Sequence, residues 1–161
     1  MFYQGIFDLI HTLFPPTQDD KQPSFMIIIG NYMNELRENM KFDIAYNAQA
    51  MNFMGYKCAI LNFDAPGLAK VVGRQIVSNF KSKGDPIDFS IVWAYQHLRN
   101  EYRIQFITDH SRSHTNVDVG ALARKLGGLP GAGKQGGSGH PDIGNLYWKD
   151  SIFELFKMKS F

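Results

Sequence analysis

One cysteine, Cys58, stands in a chain of 161 residues, so no disulfide can close within it. Flanked by Ala59 and, beyond Lys57, by Tyr56, it reads as a small buried apolar residue of a reducing compartment. Long hydrophobic runs are also missing. No stretch approaches the roughly 20 apolar residues that a membrane helix needs, and no membrane span is expected. Residues 1–14 contain neither Lys nor Arg, which excludes the positive start of a secretory signal and the arginines of a transit peptide. The expectation is a soluble intracellular chain, cytoplasmic or in an organelle matrix. Charge of one sign is scarce as well: 17 Lys and Arg face 15 Asp and Glu, a net charge of +2. Duplex binding by bulk charge scales with the phosphates neutralised, so the balance points instead to a small ligand, a strand end or a protein partner.

What is present suits one domain with a real core. Phe2, Ile6, Phe7, Leu9, Ile10 and Phe14 recur at helical spacing until Pro15 and Pro16 stop the pattern. A polar, proline-bounded linker follows, then the apolar Phe25-Met26-Ile27-Ile28-Ile29, and a second helical pattern from residue 31 to about 52. Residues 1–54 therefore read as a helical N-terminal or linker segment. A compact unit is expected over 55–150, with a short tail helix in 151–161. Within the unit, residues 56–63 read as a strand and 68–80 as a helix. Residues 88–98 and 102–108 read as a strand hairpin, and 117–126 as a helix capped near Asn116. Residues 127–139 read as a glycine-rich loop, and Leu146-Tyr147-Trp148 as a closing strand. The fold class is α/β: a mixed sheet of about four to five strands with helices packed on it, preceded by helical linker segments.

Three blocks carry the chemistry. Ser111-Arg112-Ser113 follows a strand, Val117-Asp118-Val119 opens a helix, and Gly136-Gly137-Ser138-Gly139-His140-Pro141 follows that helix. Glycines let a backbone approach an anion with exposed N–H groups. His140 adds a ring N–H donor. Arg112 is a planar fork suited to phosphate or carboxylate. Singly, each has an ordinary explanation as connector, surface residue or turn. Folded back on one another they make a phosphate-binding constellation without a nucleophile or a metal cage.

The ordered set resembles the DHH-associated domain, the C-terminal substrate-binding half of the DHH phosphoesterase family, over about residues 55–148, with Asn62 after the first strand. That family includes RecJ-type exonucleases, nanoRNases and phosphodiesterases of cyclic dinucleotides. The resemblance implies substrate binding by Ser111, Arg112, Ser113, Gly136, Gly137, Ser138, Gly139 and His140, with phosphate and a terminal nucleotide as the ligand. It also implies a partner: a catalytic DHH domain holding divalent metal, usually Mn²⁺, on a separate chain or in a missing part of the same one. Single-stranded nucleic acid or a dinucleotide would be the ligand of the pair.

The sequence departs from the family pattern at Ser138, which replaces a glycine, and at Asp142-Ile143-Gly144-Asn145, which replaces a small-residue run. Leu129-Pro130-Gly131-Ala132-Gly133-Lys134-Gln135 is additional, and the leucine usual before the arginine is absent. No Asp-His-His triplet occurs, nor the spaced aspartates of a two-metal site. The chain alone is therefore expected to have no catalytic or metal-binding residues and no hydrolytic activity. Residues 128–134 mimic a phosphate loop in spacing, but Gln135 stands where Ser or Thr would hold magnesium, and the stretch follows a helix. Two functions compete: a substrate-binding module of a DHH-type phosphoesterase, and a non-catalytic docking subunit that retains the fold within a larger assembly of protein subunits. A tRNA-contacting appendage ranks third, because His140-Pro141 favours the phosphoesterase branch.

Overall fold

The computed structural model describes residues 25–109 and 116–158. The chain divides into two compact units, Met1–Met40 and Lys41–Phe161. The helical pattern of residues 2–14 lies outside the described residues, as do Ser111, Arg112 and Ser113. Helix α1 (Phe25–Tyr46) runs through the boundary between the units. It ends where the Asn47 side chain donates to the Asp43 carbonyl at 3.2 Å, satisfying an acceptor that the last turn would leave open. The second helical pattern thus stops at Tyr46, short of residue 52.

After Asn47 and Ala48, five residues form strand β1 (Gln49–Phe53), antiparallel to β2 (Tyr56–Asn62). Met54 and Gly55 join them, both with positive φ (54° and 85°). A two-residue turn of this hand matches the twist of the flanking strands. Phe53 fixes β1 in the core: it stacks on Phe106 with centroids 6.0 Å apart, and Phe89 meets Phe106 edge-on at 6.0 Å.

Helix α2 (Pro66–Ser82) follows, begun by Pro66, whose fixed φ and missing N–H suit a first helical position. It leads into β3 (Phe89–Gln96), which runs parallel to β2, and β4 (Glu101–Ile107) returns antiparallel. Helix α3 (Val119–Gly127), β5 (Ala132–His140), β6 (Ile143–Trp148) and α4 (Ile152–Phe156) complete the described chain. The sheet is mixed, in the order β1-β2-β3-β4-β6-β5. The mixed α/β architecture expected from the sequence is present, with six strands.

The sheet has a core on each face. Phe53, Cys58, Phe89, Ile91, Ile104, Phe106, Leu146 and Trp148 face α3 and α4. Ala59, Val92 and Ile107 face α2 together with Ala45 at the end of α1. Central β3 is buried on both sides over most of its length, which explains its near-continuous apolar sequence. Its one buried hydroxyl, Ser90, shares its single proton between the carbonyls of Gly73 (2.9 Å) and Ile107 (3.2 Å), linking α2 to β4.

Burial pushes the Cys58 thiol up to about 12, with the Asp88 carboxylate adding to the shift. The thiol donates to the Met51 carbonyl at 3.5 Å. Among the described residues no helix is long and apolar enough to cross a membrane.

Candidate functional site

The glycine-rich stretch is a strand, which corrects the loop expected over residues 127–139. Strand β5 occupies Ala132–His140 at the sheet edge. Ala132 pairs with Trp148, the register breaks, and pairing resumes at Gly137 with Leu146. Between these two pairs β5 advances five residues and β6 two, an extra length that an edge strand tolerates as a bulge. Gly136, at φ 58°, sits within it.

The glycines have a packing role. A Cβ on Gly137 would overlap the carbonyl of Ala123, one on Gly127 the backbone of Gly137, and one on Gly144 the carbonyl of Val119. Bare backbone on both partners lets α3 lie directly on β5 and β6. Gly137, Ser138 and Gly139 stand opposite Leu146, Asn145 and Gly144 of β6, and the run makes a close helix–strand contact with α3.

Helix α3 is capped by Asp118, whose Oδ1 accepts from the Ala121 amide at 2.7 Å. The cap lies at Asp118 and not at Asn116, and the helix starts two residues later than the sequence pattern suggests. On the next turn, Arg124 donates through Nη1 to the Gly139 carbonyl at 2.7 Å, and its Nη2 lies 4.0 Å from Asp118 Oδ2. Helix cap, arginine and glycine strand are therefore one connected unit.

His140 ends β5 opposite Ile143, so Pro141 and Asp142 form a two-residue turn. Both ends of the segment that carries Ser111-Arg112-Ser113 are tied to this turn. The Thr108 amide donates to the Asp142 carbonyl and the Val119 amide donates to the Pro141 carbonyl, each at 3.1 Å. On the other face, Arg74 of α2 donates to Asp142 Oδ2 at 2.9 Å, and its Nε is buried without a partner among the described residues. The structure thus fastens the exit of β4 and the entry of α3 beside His140, which is exposed.

Sequence reasoning missed Arg74, Arg124 and the role of Asp142. The signal at Asp142 is an acid in a tight turn, which calls for a cation opposite. Arg124 reads in sequence only as a basic residue of a last helical turn, and its contact with Gly139 depends on the strand beneath it. Among the described residues no three His, Cys, Asp or Glu side chains group as metal ligands. Chemically, the corner offers an exposed imidazole and two arginines, each already held by an acidic or carbonyl oxygen.

No family model matches the chain, and no curated protein matches it in sequence. Among solved structures, the pGpG-specific phosphodiesterase PggH from Vibrio cholerae is similar at 12% identity and a TM-score of 0.46. The likeness covers 92% of this chain and 45% of that one, so the chain spans less than half of that protein's length.

Proposed function

We propose that residues 55–150 form the substrate-binding module of a DHH-type phosphoesterase. It holds a phosphorylated nucleic-acid end, a short oligonucleotide or a dinucleotide for a catalytic DHH domain. The observation that supports this reading most is the double tie of Thr108 to Asp142 and of Val119 to Pro141, each at 3.1 Å. It fastens the segment bearing Arg112 at both ends beside His140, which the resemblance requires. In this reading His140 and Arg112 meet the phosphate. Ser111, Ser113 and Ser138 offer hydroxyl donors beside it. Gly136, Gly137 and Gly139 keep the strand low enough for α3 and the ligand to share the corner. The divalent metal, Mn²⁺ by resemblance, belongs to the catalytic partner, and no step is routed through it here.

Titration calorimetry of the purified chain against a short 5′-phosphorylated oligonucleotide and a dinucleotide, with and without manganese, tests this. Saturable, metal-independent binding is expected. Arg112→Ala and His140→Ala are each expected to weaken it by about 1.5–3 kcal/mol, the range for hydrogen bonds to charged groups.

The docking-subunit reading rests on a separate observation. Trp93, Ile152, Phe153, Phe156 and Ile60 line a groove of about 370 Å³, and Phe153 is 70% exposed. An aromatic on a rim of this kind suits packing against another protein. Absence of binding to any nucleotide, with a fold unchanged by circular dichroism, would favour that reading.

A further inference from the structure

Between α3 and the β1–β2 hairpin lies a second cleft of about 420 Å³, within the range of small-ligand sites. The geometry points to this cleft as a nucleobase subsite, one that selects bases bearing an exocyclic amino group. The inference rests on the phosphate-corner reading above and deepens it.

Met54 and Tyr56 form one wall, and Asp118, Ala121, Leu122 and Lys125 form the other. The four α3 positions fall at i, i+3, i+4 and i+7, one stripe of a helix. The floor is apolar: Leu122 and the adjoining Val117 are almost fully buried. Tyr56 is half-buried, and its ring is held against Phe89 at 5.7 Å between centroids. A fixed aromatic beside an apolar floor suits the face of a planar heterocycle, and base–aromatic stacking contributes about 1–3 kcal/mol per base.

Asp118 supplies the edge contact. Its Oδ1 is occupied by the Ala121 amide, while among the described residues Oδ2 faces the looser approach of Arg124 at 4.0 Å. A carboxylate oxygen at the cleft rim accepts from an exocyclic amino group unopposed, whereas the ring N3–H of uracil or thymine stands between two carbonyls that the carboxylate repels; Lys125, on the same wall, already has an interaction of its own. The chemistry therefore favours adenine, cytosine or guanine over uracil or thymine.

The cleft and the phosphate corner share the first turn of α3. Asp118 lines the cleft, the next residue donates to the Pro141 carbonyl at 3.1 Å, and a Cβ on Gly120 would lie 2.5 Å from the His140 carbonyl oxygen. A single nucleotide wrapping this turn places phosphate at His140 and base against Tyr56.

The test uses three 5′-phosphorylated dinucleotides, alike except that the terminal residue carries adenine, uracil or no base. For the wild-type chain we expect the adenine ligand to bind about fivefold or more tightly than the abasic one, with uracil between them. Ala121→Trp, at an exposed helix position, fills the cleft; it should bring the adenine ligand down to the abasic affinity and leave the abasic affinity itself unchanged. Asp118→Asn, which keeps the helix cap, should remove the preference for adenine over uracil even if the tryptophan variant fails to fold. Equal wild-type affinity for the three ligands, or a base preference that survives Ala121→Trp, overturns the subsite. The phosphate corner fails separately: base preference intact, but abasic binding indifferent to His140→Ala. Absence of binding by all three ligands overturns both.

Discussion

Gly137 lies so close to Ala123 that a methyl group on the glycine would occupy the space of the alanine's carbonyl oxygen. The obstructing atom is helix backbone, which cannot swing aside as a flexible side chain would. The same glycine belongs to the motif that suggests phosphate binding, and its steric role is independent of any ligand.

Gly137→Ala is therefore expected to cost at least about 1–3 kcal/mol, the usual range for overpacking, read as a fall in denaturant midpoint. Gly67→Ala provides the contrast. Its Cβ would meet nothing within 4 Å, in the first turn of α2, and the change should stabilise the chain by about 0.4–1 kcal/mol. If both variants unfold at the same denaturant concentration, the close helix–strand contact is wrong.

Asp118 caps α3 through its contact with the Ala121 amide and stands near Arg124. Asp118→Ala should lower stability by about 0.5–2 kcal/mol. Asp118→Asn, which still accepts at the cap, should recover most of that. Amide exchange at Ala121 should speed up in the alanine variant only; equal protection in all three proteins would remove the cap from the account.

Cys58 is fully buried, and its thiol value is raised from 9.0 to about 12. The sign follows from the neutral form being the one that burial favours. The folded state holds this proton more tightly than the unfolded state, so the contribution is complete below pH 9 and is lost as pH rises towards 12. The folded protein should therefore resist a thiol reagent at pH 8 and react at once in denaturant. The Cys58→Ala variant should lose less stability than wild type between pH 9 and 11. Fast labelling of the native chain would contradict the burial.

Periodicity in the sequence located α2, β3, β4 and α3 because each pairs a regular apolar pattern with a clear stop, as in Pro66 before α2 and the alternation around Ile104 and Phe106. It missed β1 because Gln49-Ala50-Met51-Asn52-Phe53 places a single large apolar residue, Phe53, in the core. It missed β5 because nine residues rich in glycine and polar side chains have no apolar alternation at all. What makes β5 a strand is pairing with β6 and cover by α3, both remote in sequence. The expected site residues form three ordered blocks in the sequence, of which Ser111-Arg112-Ser113 lies outside the described residues. The partners that hold its corner, Arg74 on α2 and Arg124 on α3, depend on the packing of helices against strands and leave no mark at short range.

The central claim is that the corner at His140 recognises a terminal phosphate, and one comparison tests it most directly. The affinity of the wild-type chain for a short single-stranded oligonucleotide would be measured with a 5′-phosphate and with a 5′-hydroxyl, and repeated for His140→Ala. The account predicts tighter binding of the phosphorylated strand, with most of that advantage gone in the variant and the fold unchanged. Equal affinity for the two strands, or a phosphate advantage that His140→Ala leaves intact, would contradict it.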